Sequence, residues 1–125
     1  MDRVFEDIEF HGSVNGARVY RALLSQAGTA DPTAVVLENT LGDIVWTRAS
    51  TGVYEGTLAD GFPTGKTWVT IGTFSINTPD LMYSDVLTTS IIQVIHYYLK
   101  LILGDVGKEA LDTINDVPIE IRVYD

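Results

Sequence analysis

Pro118-Ile119-Glu120-Ile121-Arg122-Val123-Tyr124 lies near the end of the chain. On an extended backbone, successive side chains point to opposite faces. Ile119, Ile121 and Val123 therefore share one face, and Glu120, Arg122 and Tyr124 share the other. One apolar face and one charged face predict a half-buried strand of an antiparallel sheet, over 117–124. The charged face alternates in sign, which suits pairing with opposite charges on a neighbouring strand.

The same two-residue period recurs upstream. In 52–59, Tyr54 and Gly56 oppose Val53, Glu55 and Thr57, and in 43–49, Ile44, Trp46 and Arg48 oppose Val45 and Thr47. Runs rich in Val, Ile, Thr, Tyr and Trp predict further strands over 4–11, 17–25, 33–39, 66–74 and 81–87. Between them stand turn signals: Asn15-Gly16, Gly28 to Pro32, Leu41-Gly42-Asp43, Thr51-Gly52, Asp60-Gly61 and Pro63-Thr64-Gly65. Short strands at regular spacing with such joints predict an all-β chain, either an antiparallel β-sandwich or a partly closed barrel. No linker or internal repeat divides it, so 1–125 reads as a single domain.

The segment 91–103 admits two periods. Ile91, Ile95, Tyr98 and Ile102 recur at helical spacing, with Ser90 placed to cap and Gly104 to end a helix. Alternation works as well, with Ile92, Val94, His96 and Tyr98 set against Ile91, Gln93, Ile95 and Tyr97. Four β-branched residues among the first five lose side-chain freedom in a helix, and the flanking pattern is all β. The strand is the preferred reading, with the helix over 91–103 as the alternative. One short helical turn is expected at 108–114.

Composition narrows the chemistry. The 125 residues are 46% hydrophobic and carry a formal net charge of −9, a folded chain with a surface that repels phosphate backbones and anionic bilayers. Neither nucleic acid nor membrane is an expected partner. There is no cysteine, which removes thiol catalysis, thiolate metal sites and disulfides together. The first ten residues carry acids where a secretory signal needs a basic flank and an apolar run, so no signal peptide is expected. The most apolar stretch, 91–103, is shorter than the roughly 20 residues that span a bilayer as a helix.

No constellation for catalysis emerges. His11 and His96 are far apart in sequence, and His96 sits in an apolar run where a satisfied core imidazole is the usual outcome. Gly65-Lys66-Thr67 has the ending of a phosphate-binding loop, but Asp60 stands where that loop needs glycine, and Pro63 suits a turn. Asp105, Glu109, Asp112 and Asp116 cluster in one segment, and Asp80 and Asp85 in another. They lack the spacing of a calcium loop and read as solvated acids. The expectation is a non-enzyme with no metal and no cofactor. Aromatic residues are the remaining candidates, since rings fill cores but also serve as stacking platforms and interface anchors. Trp46, Phe62 and Trp68 are the candidate ligand-binding residues, and Tyr20, Tyr54, Tyr124 and Arg122 the candidate interface residues.

Three segments carry a resemblance: Val19-Tyr-Arg-Ala-Leu-Leu-Ser-Gln-Ala-Gly-Thr29, Pro32-Thr-Ala-Val-Val-Leu-Glu-Asn-Thr-Leu-Gly42 and Ile44-Val-Trp-Thr-Arg48. With Gly52-Val-Tyr-Glu-Gly-Thr-Leu58 and the 118–124 strand, the chain resembles small β-rich phage- and prophage-encoded proteins of Bacteroidetes, mostly without assigned function and associated with virions or tail fibres. The resemblance covers 17–74 and the last strand, and it carries no catalytic residues. It implies a structural protein made in the host cytoplasm and then built into a virion, with itself and other virion proteins as partners. A module that binds a host-surface glycan or receptor through exposed aromatics is the alternative. Homo-oligomeric assembly would use strand edges. Both terminal strands are candidate edges, with Glu6, Asp7, Glu9, Glu120 and Arg122 as the charges that guard them.

Overall fold

The computed structural model describes residues 16–72, 80–102, 105–110 and 113–125. These residues form nine strands: β1 (Ala17–Gln26), β2 (Thr33–Asn39), β3 (Val45–Ser50), β4 (Val53–Thr57), β5 (Thr67–Ile71), β6 (Asp80–Thr88), β7 (Ile91–Ile102), β8 (Asp105–Ala110) and β9 (Ile114–Tyr124). All pairings are antiparallel. One sheet runs β2-β1-β9-β5, and the other β3-β4-β7-β6 with β8 added to β7. The two sheets pack face to face and do not close into a barrel, so the architecture is the sandwich of the two expected alternatives.

β7 answers the ambiguity at 91–103: it is a strand, and no helix occurs among the described residues. Its backbone bonds are supplied from both sides. β6 pairs along 91–98 on one edge, while β4 takes 91–95 and β8 takes 97–102 on the other. Neighbours on both edges remove the need for helical bonds, and Ile91, Ile92, Val94 and Ile95 fit a pleated surface. The described residues of the helical turn expected at 108–114 are strand at 108–110 and at Ile114. β8 runs through Ala110 because the end of β7 offers a free ladder there, and β9 begins at Ile114 against β1. The expected strand at 4–11, together with His11, lies outside the described residues.

The alternation read in the last strand holds. Ile114, Val117, Ile119, Ile121 and Val123 are buried, and they meet Tyr20, Ala22 and Leu24 of β1 within the core. Trp46, Tyr54, Ile92 and Val94 close the core from the other sheet. Full burial of each large aliphatic side chain stabilises by about 1.5–3 kcal/mol. The β3–β4 hairpin turns at Gly52, whose φ of 70° lies in the left-handed region that glycine enters without steric cost.

The strand order corrects one expectation. β9 is not an edge, since it pairs β1 on one side and β5 on the other. Glu120 and Arg122 therefore guard no edge: Glu120 pairs across to Arg21 of β1 and along its own strand to Arg122. Among the described residues, the edges are β2 and β5 of one sheet, and β3, β6 and the outer side of β8 of the other.

Candidate functional site

Three features were candidates from sequence: the aromatics, the charged face of the last strand and the acidic segments. Tyr20 and Trp46 come together in the core. The Trp46 Nε1–H of β3 donates to the Tyr20 hydroxyl of β1 at 3.1 Å, so the bond crosses from sheet to sheet. Burial pushes the Tyr20 hydroxyl above its ordinary pKa, partly offset by the Trp46 bond and reinforced by the nearby Asp43 charge.

Tyr54 is likewise buried, and its hydroxyl donates to Gln26 Oε1 at 2.8 Å. The same oxygen accepts the Thr113 N–H at 2.8 Å, and Gln26 Nε2 donates to the carbonyls of Gly28 and Ala30 at 2.8 and 3.0 Å. Two donors and two acceptor positions are thus all used. Gln26 ties β1 to β4, to the turn before β9 and to its own following turn.

Phe62 is fully buried beyond β4, where its N–H donates to the Thr89 carbonyl at 2.8 Å. These placements correct four sequence assignments. Tyr20 and Tyr54 have no surface for a subunit interface, and Trp46 and Phe62 present no face for stacking. A side chain that alternates correctly is exposed only if no second sheet covers its face, and here one does.

Trp68, Arg122 and Tyr124 remain outside. Trp68 is 49% exposed on edge strand β5, with the Arg122 guanidinium 5.4 Å from its ring centroid. The two residues are direct cross-strand partners. A continuous charged row extends from them across the outer face. Arg122 Nε donates to Glu120 Oε2 at 2.7 Å, Arg21 of β1 donates to the same oxygen at 3.0 Å, and Arg21 also pairs with Glu38 of β2. Arg21 sits opposite both Glu38 and Glu120 in register, so the row follows from strand order. The Arg122 bond is the main reason the Glu120 carboxyl lies below its ordinary range, and the bond to Glu120 in turn raises Arg122. Beside the row is an apolar groove of about 270 Å³ lined by Leu37, Thr70, Gly72 and Pro118.

The remaining motifs are structural. Thr67 Oγ1 donates to the Pro63 carbonyl at 2.9 Å and the Lys66 N–H to the same carbonyl at 3.2 Å, so Gly65-Lys66-Thr67 is a turn leading into β5. Asp116 adopts a φ of 50°, and its N–H donates to Ser25 Oγ at 2.9 Å. It belongs to the irregularity where β1 and β9 shift register. Asp80 and Asp85 lie on β6, Asp105 and Glu109 on β8, and Asp112 lies outside the described residues. Among the described residues, no three His, Asp or Glu side chains group as metal ligands.

The surface that sequence reasoning missed is β2. Val35, Val36 and Leu37 are consecutive and 58%, 48% and 62% exposed. Among the described residues, β2 pairs on one side only, with β1. Three of the other edges have a contact of their own. β5 and β6 lie against each other across the sandwich, and β3 is met by Asp31, whose Oδ1 accepts the Arg48 N–H at 2.9 Å. Between β2 and β3 a cleft of about 360 Å³ is lined by Pro32, Ala34, Val36, Ile44 and Trp46. A signal for this edge was present: Ala34-Val35-Val36-Leu37 is apolar without alternation, so one of its two faces had to find a partner or stay exposed.

No protein-family model, no curated protein and no solved structure matches the chain.

Proposed function

We propose that this chain is a non-enzymatic structural domain of a virion or a tail-fibre-type appendage, made in the host cytoplasm and acting by homo-oligomeric assembly through strand edges. One observation carries the assembly reading: among the described residues, β2 pairs on one side only and carries three consecutive exposed apolar side chains. An edge of this kind is a template for another strand, and chains that stay monomeric blunt it with lysine, inward charges or a cover. β2 contains no lysine, and its one charged residue, Glu38, is held by Arg21. The virion context rests on the resemblance of 17–74 and the last strand. Light scattering across a concentration range tests the assembly reading. A defined oligomer that Val35→Lys together with Leu37→Lys converts to a folded monomer supports it, and a monomer at every concentration refutes it.

A second reading keeps one observation of its own. Trp68 is the half-exposed member of the three candidate platform residues, and on β5 it shares a face with Thr70, which lines a groove with Arg21 and Glu120. Such a ring beside carboxylate and guanidinium groups suits a host-surface glycan. Glycan-array binding lost in a folded Trp68→Ala variant supports this reading, and a flat array for the native protein removes it.

A further inference from the structure

Resting on the assembly reading above, we infer that the occupant of the β2 edge is the β2 strand of a second copy of this chain, paired antiparallel about a twofold axis at Val35. The backbone restricts the partner's class. An edge strand offers a row of N–H and C=O groups at strand spacing, and another extended strand satisfies such a row. The side chains restrict it further. Ala34, Val35, Val36 and Leu37 need an apolar partner on both faces, and a second β2 supplies the same four residues.

Charge decides the direction. The chain has a net charge of −9, so close approach of two copies is favoured where the contact itself is uncharged. In β2 that stretch is Thr33 to Leu37, and Glu38 begins the charged end. Parallel pairing would bring the two Glu38 carboxylates side by side. Antiparallel pairing sends them to opposite ends of the contact.

The limits of the window fix the register. Pro32 has no N–H to give, so pairing starts at Thr33. At the other end, Leu37 is the extra residue of a bulge, since Arg21 pairs Glu38 and Ala22 pairs Val36, and the strand bends there. The midpoint of 33–37 is Val35. A twofold axis at Val35 sets Val35 against its own copy and Ala34 against Val36 on either side. With Val35 bonded to its register partner Leu23 on β1, the groups of Ala34 and Val36 turn outward and serve each other across the axis. The result is a continuous eight-stranded sheet through both copies. The same contact covers the mouth of the cleft lined by Ala34 and Val36, where the edge of Trp46 shows.

The native chain has no cysteine, so one introduced thiol reports one position. Val35→Cys and Thr33→Cys place a single thiol on the same face of β2, each at an exposed residue. In the register stated, two Val35→Cys chains meet at a non-hydrogen-bonded pair about 4.5 Å apart at Cα, within disulfide reach. Two Thr33→Cys residues stand four positions apart, about 14 Å. Mild oxidation is expected to convert most of Val35→Cys to a covalent dimer on a non-reducing gel and to leave Thr33→Cys monomeric on that gel. Thermal midpoints by tryptophan fluorescence confirm that both variants are folded. Equal cross-linking of the two variants indicates parallel pairing and overturns the inference. An assembled native protein whose variants both fail to cross-link also overturns it, placing the interface on another surface while the assembly reading stands. A native protein that is monomeric throughout overturns both.

Discussion

Replacing Gln26 with leucine tests the account of how the two sheets are held in register. Leucine has nearly the volume of glutamine and keeps the buried position filled, so the loss is that of four hydrogen bonds and not of packing. The partners differ in what they lose. The Gly28 and Ala30 carbonyls belong to exposed residues, so water replaces the amide there, at about 0.5 kcal/mol each. The Thr113 N–H is partly buried and loses about 1 kcal/mol. The Tyr54 hydroxyl is fully buried and loses its bond to the amide oxygen there, at about 1–3 kcal/mol.

The expected total is about 3–5 kcal/mol at neutral pH, read as a lower urea midpoint at constant slope. The second arm isolates the hydroxyl. Tyr54→Phe alone removes one bond, at about 1 kcal/mol, and leaves the amide oxygen on Thr113. With Gln26→Leu already in place, the bond between the two residues is gone before Tyr54 is changed, so the double variant should be more stable than the sum of the singles by about 1 kcal/mol. A Gln26→Leu variant within about 1 kcal/mol of the native protein, or strictly additive effects, would refute the reasoning, because the bond between the Gln26 amide and Tyr54 would then not be stabilising.

Gly56→Ala tests the packing under Trp46. A Cβ at that position would sit 2.8 Å from Cη2 and Cζ3 of the indole and 2.9 Å from Ile44 Cγ2. The ring is held in the core, so a loss of about 1–3 kcal/mol is expected by chemical denaturation, and an unchanged midpoint would contradict it. Tyr20→Phe leaves the Trp46 N–H without its acceptor and should cost about 1–3 kcal/mol at neutral pH. Because folding raises the Tyr20 pKa, its contribution is complete below about pH 10 and fades as pH climbs from there through the folded value. Thermal melts between pH 9 and 12 should therefore fall less steeply for Tyr20→Phe. Glu120 has the opposite sign. Its folded pKa is depressed, so its stabilisation is present above the ordinary glutamate value of about 4.3 and is lost as pH falls through the lower folded value. Glu120→Gln should flatten the acid limb of the stability curve by up to about 1 kcal/mol, the scale of partly exposed ion pairs, and an identical acid limb would rule out the charged row as its source.

The local pattern carried most of the strands. Period-two alternation marked β9 and β4, and glycine or aspartate turns marked the joints, because side-chain direction and backbone φ are set within a few residues. β8 escaped notice: Asp105-Val-Gly-Lys-Glu-Ala110 has little strand character of its own, and its pairing comes from the free end of β7. The charged row was legible in half. Glu120 and Arg122 announced a charge-pairing face, but Arg21 and Glu38 joined it only when β1 and β2 were seen to lie beside β9.

The candidate site followed the same division. Trp68 and Tyr20 look alike in sequence, each an aromatic in an alternating strand, and the tertiary structure exposes one and buries the other. Strand content, turn positions, the inward face of β9 and the absence of cysteine from these 125 residues were legible in residue order alone, all being properties of neighbouring residues or of composition. It took the strand neighbours to show that β9 is interior, that Tyr20, Trp46, Tyr54 and Phe62 are core, and that β2 pairs on one side only among the described residues. Burial and edge position depend on which strands lie beside and above a segment, and those strands are brought together from residues as many as 99 positions away, as in the Arg21–Glu120 pair.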